Sequence, residues 1–210
     1  MDSYLTNTDR LDTTPLRDEV LNQAVEFLTT LGTTAPAPAA VVEALLMAEK
    51  TAKQAKVCYA WEQLHGTWRL GFITGTKKSR QRAGVILGAG RFLPKWVKIH
   101  LSYLQSEPGS DRGTVENSVA LGLLQIVLTG PTQFWPKMNI LTFDFTRMRV
   151  LLSGRQLYSG YIRGGQERER SFYQQKVKQQ AFFTYFLVQD QYIAARGRGG
   201  GLALWTRASV

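Results

Sequence analysis

The spacing of apolar residues changes early in the chain, and this change predicts two structural regions. Apolar residues recur every three or four positions over residues 16–31, as on one face of a helix. Gly32 is suited to end this helix. After the sequence TTAPAPA, a second apolar set predicts a helix from about Ala39 toward Gln63. We therefore expect residues 1–63 to form a helical N-terminal region.

From Gly66 the apolar pattern has a period of two. In TWRLGFITG and KWVKIHLSYL every second residue is apolar, as in a strand that buries one face. Further short runs of this kind follow, separated by turn residues: TVENSVAL, LLQIVL, MNILTFDF, MRVLLSG, QLYSGYI, FFTYFLV and GLALWTR. No segment between them is suited to a helical crossover, so we expect residues 64–210 to form an antiparallel β-barrel. The polar segment 163–180 is predicted to be a loop with a short helix.

The C-terminal sequence ARGRGGGLALW raises the question of an RNA-binding Arg-Gly-Gly tail. Such tails are low in complexity and poor in large apolar residues. Here aliphatic and aromatic residues flank the glycines on both sides, and their alternation predicts a strand, a turn and a second strand. The segment is therefore interpreted as part of the barrel.

The composition indicates a folded, basic protein. Apolar residues make up 44% of the chain and charged residues 20%. The first 50 residues contain three bases and eight acids, a net charge of −5, whereas the remaining 160 residues have a net charge of +15. A surface this positive attracts anionic partners, which include nucleic acid, an anionic membrane surface and an acidic protein. The single cysteine, Cys58, excludes an internal disulfide, and we expect it to be a core residue of the second helix.

No catalytic or metal-binding motif is recognisable in the chain. His65 and His100 lie in different segments without metal-ligand spacing, and no pair of acids suggests general acid–base chemistry. Phosphate-binding loops, nucleophile elbows and dinucleotide fingerprints are absent from the sequence. We therefore predict a non-enzymatic protein with no catalytic residues and no metal site.

Two motifs carry a resemblance to a known family. In LHGTWRLGFITG, the spacing of Gly66 and Trp68 resembles the start of the first strand in lipocalin-like barrels, where the tryptophan plugs the closed end. Combined with YFLVQDQYIAARGRGG and LALW near the C-terminus, it resembles the plastid lipid-associated protein (fibrillin) family, cyanobacterial type. The second motif matches at Leu187, Asp190, Ile193, Arg196, Gly197 and Leu202. The pair Gln191-Tyr192 and the extra Arg198-Gly199 depart from the family pattern and leave the subfamily open.

The resemblance implies a lipocalin-like β-barrel that binds a carotenoid, a quinone or another prenyl lipid, or that associates with the thylakoid surface, in a photosynthetic cell. Because the N-terminus has no apolar core and several acids, unlike a secretory signal or a transit peptide, we expect a cyanobacterial cytoplasmic protein peripheral to the thylakoid membrane. A mature plastid protein of the stroma or thylakoid is the other possibility. The alternative function is a scaffold or assembly factor with a solid barrel, which docks on a photosynthetic complex or a membrane enzyme through residues 1–35. Nucleic acid is not an expected partner.

Three groups of residues are candidates for function. Large residues at inward positions are expected to line a cavity or to fill the barrel: Trp68, Leu70, Phe72, Ile99, Leu101, Tyr103, Phe143, Phe145, Phe183 and Tyr185. The expected barrel-end motif consists of Gly66, Trp68, Asp190, Arg196 and Gly197, with Asp190 either orienting Arg196 or serving as a turn residue. Arg196 and Arg207 are the candidates for a cation–π contact with Trp68.

The third group consists of basic and aromatic residues predicted to dock on a membrane or an acidic partner. Its aromatic members lie near the turn signals GRFLPKW and PTQFWPK. The set is Lys77, Lys78, Arg80, Arg82, Phe92, Trp96, Trp135, Arg168 and Arg170. The alternative is a solvated basic face with aromatic residues that cover the barrel ends.

Overall fold

The computed structural model describes residues 14–75, 90–162 and 164–208 of the chain. Helices α1 (Thr14–Thr29) and α2 (Pro38–Gln54) come first, and a short 3₁₀ turn at Trp61–Leu64 leads into the strands. The strands are β1 (Gly66–Ile73), β2 (Arg91–Phe92), β3 (Lys98–Gln105), β4 (Arg112–Leu121), β5 (Leu124–Trp135), β6 (Ile140–Phe143), β7 (Arg147–Leu152), β8 (Arg155–Tyr161), β9 (Ala181–Val188), β10 (Tyr192–Gly197) and β11 (Leu202–Arg207). Helix α3 (Gly165–Ser171) and two 3₁₀ turns lie between β8 and β9, as predicted for the polar segment.

Eight of the strands form a closed antiparallel barrel. Their order is β4-β3-β1-β11-β10-β9-β6-β5, and the pairing of β5 with β4 closes the ring. Closure leaves no free strand edge around the ring. The predicted fold class, a mainly β chain with an antiparallel barrel after a helical region, is confirmed.

The β7–β8 hairpin leaves this barrel because β5 changes partner halfway along its length. Residues 124–129 of β5 pair with β7, whereas residues 132–135 pair with β6. The branch lies at Gly130 and Pro131, where the backbone N–H of Asp144 donates to the Pro131 carbonyl. A Cβ atom on Gly130 would lie 2.1 Å from the Asp144 carbonyl oxygen, so only glycine allows this approach. Strand β8 pairs with β7 alone and is the edge of the projecting hairpin.

Two apolar clusters divide the protein into layers. The inner cluster fills the barrel around Trp68, Tyr103 and Tyr185. The outer cluster joins buried residues of α1 and α2 to the outer face of β1, β9, β10 and β11. The helical region therefore packs on the barrel through its apolar stripe, as its spacing predicted. None of the helices in the described part of the chain is long and apolar enough to cross a membrane.

The end of the second helix was predicted wrongly. Helix α2 ends at Gln54 rather than near Gln63, and Lys56 adopts a left-handed conformation with φ of 51°. The next residues are held extended by Asn139, whose side chain accepts from the Tyr59 N–H and donates to the Val57 carbonyl. These tertiary hydrogen bonds replace helical ones. Cys58 is consequently exposed in this segment and is not a core residue of a helix.

Candidate functional site

One end of the barrel is closed by Trp68. Its side chain is completely buried, and its indole N–H donates to the Leu64 carbonyl at 2.8 Å. The Arg207 guanidinium lies 4.1 Å from the Trp68 ring centre, so Arg207 rather than Arg196 makes the cation–π contact. Arg207 also donates to the backbone carbonyls of His65 and Asp190. Trp68 is thus a plug held from both sides.

The predicted barrel-end motif is divided between the two ends of the barrel. Gly66 lies beside Trp68 at the closed end, with φ of 108°, and a Cβ atom there would be 2.8 Å from the Arg207 guanidinium. Arg196 and Gly197 lie at the opposite end of β10, because six residues of extended chain span about 20 Å.

Of the two roles left open for Asp190, the pairing with Arg196 does not occur, and Asp190 lies in the turn between β9 and β10. Arg196 instead forms hydrogen bonds with both carboxylate oxygens of Glu49 in α2, and it donates to the Gly200 carbonyl at 2.7 Å. The hydrogen bonds to Glu49 raise the pKa of Arg196 above its ordinary value. This pair fastens the end of α2 to the barrel.

A chain of aromatic rings follows the barrel interior. From the open end inward, ring-centre distances are 5.4 Å from Phe145 to Phe143, 5.0 Å from Phe143 to Phe183 and 5.3 Å from Phe183 to Trp205. Deeper contacts join Tyr185, Tyr103, Trp61 and Phe134. Aromatic packing of this kind fills the closed half of the barrel.

The other half of the barrel is not sealed. Leu70, Phe145, Phe183 and Ala203 pack against the inner cluster, yet each remains partly accessible to solvent. In contrast, Trp68, Tyr103 and Tyr185 are buried to 1% exposure or less. The interior therefore changes from solid at the Trp68 end to open at the opposite end.

A cavity of about 210 Å³ adjoins this open half, between β6 and the segment after α3. Phe143, Phe145 and Phe172 supply its apolar wall, and Asp144 and Arg168 line it as a hydrogen-bonded pair with a distance of 2.5 Å.

Gln180 supplies the most deeply buried polar group of this cavity. It is only 4% exposed, and its side-chain Nε2 donates to the Phe172 carbonyl at 2.7 Å. This bond fixes the orientation of the amide, and Oε1 is buried without a partner among the described residues.

A second unpaired acceptor lies on the barrel wall. Asn117 of β4 is on the inner face, directly opposite Leu101 of β3 and Leu128 of β5. Its Oδ1 is buried and has no hydrogen-bond partner among the residues that the structure describes. A buried acceptor without a donor costs about 1–3 kcal/mol, so a donor from a bound molecule or water would be favourable there.

The barrel centre contains one further polar pair. The hydroxyls of Tyr103 and Tyr185 are 2.7 Å apart, and either one can be the donor. Burial raises the pKa of both phenols, so both stay protonated. One hydroxyl donates within the pair, and the proton of the other remains available as a donor.

Most of the predicted cavity residues meet in the inner cluster, with two exceptions. Trp68, Leu70, Leu101, Tyr103, Phe143, Phe145, Phe183 and Tyr185 all belong to it or pack against it. Phe72 was placed inward wrongly and belongs to the outer cluster, because a bulge between Leu70 and Phe72 shifts the alternation by one residue. Ile99 is half-buried near the open end of β3 and belongs to neither cluster.

The predicted docking residues have varied environments. Lys77, Lys78, Arg80 and Arg82 lie outside the described residues. Phe92 is half-buried, and its ring packs 4.9 Å from Phe72 and 5.0 Å from Phe27. Trp135 is half-buried as the last residue of β5, and Arg168 pairs with Asp144. Trp96 and Arg170 are exposed.

Metal-binding chemistry has no evident location in the described ranges. No group of three or more His, Cys, Asp or Glu side chains is arranged there to hold an ion. His65 packs edge-on against Trp61. His100 is half-buried, and desolvation, followed by the charges of Arg69 and Lys98, lowers its pKa.

Two larger grooves lie on the outside of the barrel. One, of about 570 Å³, lies between β4–β5 and the β7–β8 hairpin, and its arginines Arg147 and Arg149 are paired with Glu169 and Glu116. The other, of about 700 Å³, lies between the end of α2, the turn that precedes β6, and strand β9. Aromatic residues line both grooves, but among the described residues neither groove is lined by one with a buried, unpaired polar atom. We therefore take the open half of the barrel, with its adjoining cavity at Gln180, as the candidate site.

No protein-family model matches this chain, and no curated protein matches it in sequence. The likeness to the fibrillin family therefore depends on the two sequence motifs alone. Sequence reasoning missed Asn117 and Gln180. A polar residue at an inward position of TVENSVAL was a usable signal for Asn117, whereas Gln180 lies in a segment without any periodic pattern.

Proposed function

We propose that this protein binds an elongated apolar molecule that carries a hydroxyl group, in the open half of its barrel. The observation that carries the proposal is the aromatic wall of Phe145, Phe143 and Phe183, of which Phe145 and Phe183 are partly accessible, next to the buried, unpaired Oε1 of Gln180 in the adjoining cavity. A second unpaired acceptor, Asn117 Oδ1, faces the barrel interior from β4 and does not line this cavity. Ligand sites are usually apolar pockets with a few placed polar groups, and this arrangement fits that description.

The size of the cavity limits what enters it. At about 210 Å³ it is smaller than the roughly 300–1,000 Å³ of pockets that enclose a drug-sized ligand. It accommodates a ring or a short segment, and the rest of the molecule would extend through the open end. A prenyl lipid, a quinone or a carotenoid has this shape, with a compact end group on a long apolar chain.

The unpaired polar atoms favour ligands that carry a hydroxyl group. Asn117 Oδ1 and Gln180 Oε1 accept hydrogen bonds, so they favour a hydroxyl on the ligand over a carbonyl or a hydrocarbon end. The expected order of affinity is a quinol or a hydroxylated carotenoid first, then a quinone, then a plain hydrocarbon. Each satisfied acceptor contributes about 1 kcal/mol or more to this preference.

The biological setting of the proposal is inferred from the family resemblance. A fibrillin-type protein in a photosynthetic cell, at the thylakoid surface or free in solution, has access to carotenoids and prenyl quinones. We retain the non-enzymatic role, because the proposed site offers hydrogen-bond acceptors and aromatic faces rather than an acid–base pair.

The alternative role, a scaffold that binds a partner through residues 1–35, has less support. The apolar residues Leu21, Ala24 and Leu28 of α1 are already buried in the outer cluster. A partner would have to compete with α2 and the barrel for this face. Residues 1–13 lie outside the described chain.

Spectroscopic titration with two carotenoids tests the ligand proposal. Zeaxanthin and β-carotene differ by two hydroxyl groups, and each changes its absorption spectrum on transfer to a protein site. We expect saturable binding at one molecule per chain and about tenfold tighter binding of the hydroxylated compound. Failure of both to bind a folded protein would contradict the proposal.

Substitution of the wall acceptor supplies the matched control. Asn117→Leu should reduce the preference for zeaxanthin by the contribution of one acceptor, leaving that of Gln180, and should not harm the fold, because Leu101 and Leu128 flank it. Ser118→Val changes the next residue, which points out of the barrel on the same strand, and should leave the preference unchanged. Equal preference in the Asn117→Leu variant and the parent protein would show that this acceptor does not contact the ligand.

A further inference from the structure

Exposed leucines are concentrated at the tips of two neighbouring hairpins. Leu121, Leu123 and Leu124 form the turn between β4 and β5, and Leu152 and Leu157 flank the turn between β7 and β8. Leu123 is 71% exposed and Leu157 is 63% exposed. Exposed apolar side chains that cluster in this way mark an interaction site, whereas isolated ones need no explanation.

The two tips form one surface. Leu124 and Leu152 are register partners on adjacent strands, and the Ser153 N–H donates to the Leu123 carbonyl at 2.9 Å. A bulge between Val150 and Leu151 interrupts the alternation next to Leu157. We call this surface, residues 121–124 and 152–158, the leucine tips.

The leucine tips lie at the open end of the barrel. Strand β5 runs from Leu124 toward Trp135, and β4 ends at Leu121, so both tips are opposite the end closed by Trp68. Trp96 lies on the same side, two residues before Lys98, whose register partner Ala120 precedes Leu121. Trp96 is 70% exposed, and tryptophan is enriched where proteins meet the membrane–water interface.

The two chain segments that carry the leucine tips contain basic residues and no acid. Residues 117–128 contain no charged side chain, and residues 147–162 contain three arginines and no acid. Arg147 and Arg149 are paired with Glu169 and Glu116, while Arg155 is exposed on the leucine tips and Lys98 is exposed beside them, opposite Ala120. Each basic residue near an anionic lipid surface contributes about 1 kcal/mol to binding.

We propose that the leucine tips insert into an anionic lipid bilayer, with Trp96 at the interface and the open end of the barrel facing the membrane. Flexible leucine side chains on two turns suit the acyl region of a lipid leaflet. The exposed bases suit its phosphate groups. This inference is independent of the proposed ligand, because it concerns a surface that can be tested on protein without bound ligand.

Flotation with protein-free vesicles tests the proposal. The full chain is mixed with vesicles of phosphatidylcholine alone or of phosphatidylcholine with phosphatidylglycerol. We expect binding to the anionic vesicles at least tenfold stronger than to the neutral ones, decreasing with salt. Absence of binding to the anionic vesicles would overturn the proposal and leave a protein partner as the occupant of this surface.

Single substitutions locate the contact. Leu123→Ser and Leu157→Ser should each weaken vesicle binding by about tenfold, since each removes one leucine from the lipid. Leu104→Ser is the matched control, because Leu104 is 63% exposed on β3 near the closed end. Equal binding by Leu123→Ser, Leu157→Ser and the control would refute the assignment of this surface.

Two further variants separate the charge and the interface contributions. Arg155→Gln should weaken binding to anionic vesicles by about fivefold and leave the residual binding to neutral vesicles unchanged. Brominated acyl chains should quench tryptophan fluorescence in the parent protein but much less in Trp96→Phe, because Trp61, Trp68 and Trp205 are buried and the half-buried Trp135 lies at the other end of β5 from the leucine tips. Undiminished quenching in Trp96→Phe would overturn the orientation with the open end toward the lipid.

Discussion

Removal of one hydroxyl from the tyrosine pair at the barrel centre should destabilise the protein measurably. Tyr103 and Tyr185 are 0–1% exposed, and their hydroxyls, 2.7 Å apart, have each other as partners. Tyr103→Phe leaves the other hydroxyl buried without its partner, which costs about 1–3 kcal/mol of unfolding free energy. Tyr185→Phe leaves the Tyr103 hydroxyl without its partner and should have a similar cost.

The double substitution should cost less than the sum of the two single ones. When both hydroxyls are absent, no polar group remains unpaired at this position, so the coupling free energy should be about 1–2 kcal/mol. Tyr161→Phe serves as a control, because Tyr161 is exposed and its hydroxyl accepts from Arg147 at the surface. Its effect should stay within about 0.5 kcal/mol.

Urea unfolding of the four proteins of this cycle, followed by tryptophan fluorescence and circular dichroism, measures these free energies. The reasoning would be refuted if each single substitution changed the free energy of unfolding by close to zero and the double substitution changed it by the sum of the two. That result would mean that water or a ligand reaches the two hydroxyls, and that the open half of the barrel extends deeper than the accessible residues Phe183 and Leu70 indicate.

Three further predictions concern stability. Burial raises the pKa of both phenols above the model-compound value of 10.0, so their contribution to stability is complete below pH 10 and is lost as the pH rises further, which alkaline unfolding curves should show. Gly130→Ala should cost about 1–3 kcal/mol, because its Cβ would overlap the Asp144 carbonyl, whereas Gly197→Ala, with 3.7 Å to its nearest neighbour, should cost much less in the same thermal unfolding assay. Glu49→Gln should cost about 1 kcal/mol by loss of the ion pair with Arg196, a pair about one-third exposed, whereas the exposed Glu43→Gln should be neutral.

The strands were predictable because alternation is a local property of the sequence. The runs KWVKIHLSYL and FFTYFLV correspond to β3 and β9 within a few residues. The PTQFW sequence was interpreted as a turn signal, yet it continues β5. Proline is tolerated in the strand because Pro131 lies where β5 changes partner, at a position that does not require a backbone N–H donor.

The errors arise where a distant contact decides the local structure. Helix α2 ends early because Asn139, far along the chain, binds the backbone at Val57 and Tyr59. The sequence offered only the nearby Asp190 as an alternative partner for Arg196, whereas its partner Glu49 is 147 residues away in α2. The open half of the barrel and its unpaired acceptors also depend on how strands meet in space, so sequence periodicity could not locate them.

The most direct test of the central claim is an analysis of what the protein carries when it is purified from a photosynthetic cyanobacterial host. Mass spectrometry and an absorption spectrum of a solvent extract identify and quantify any bound lipid. We predict about one hydroxylated carotenoid or prenyl quinol per chain, reduced in the Asn117→Leu variant. A well-folded protein with an empty extract would contradict the account.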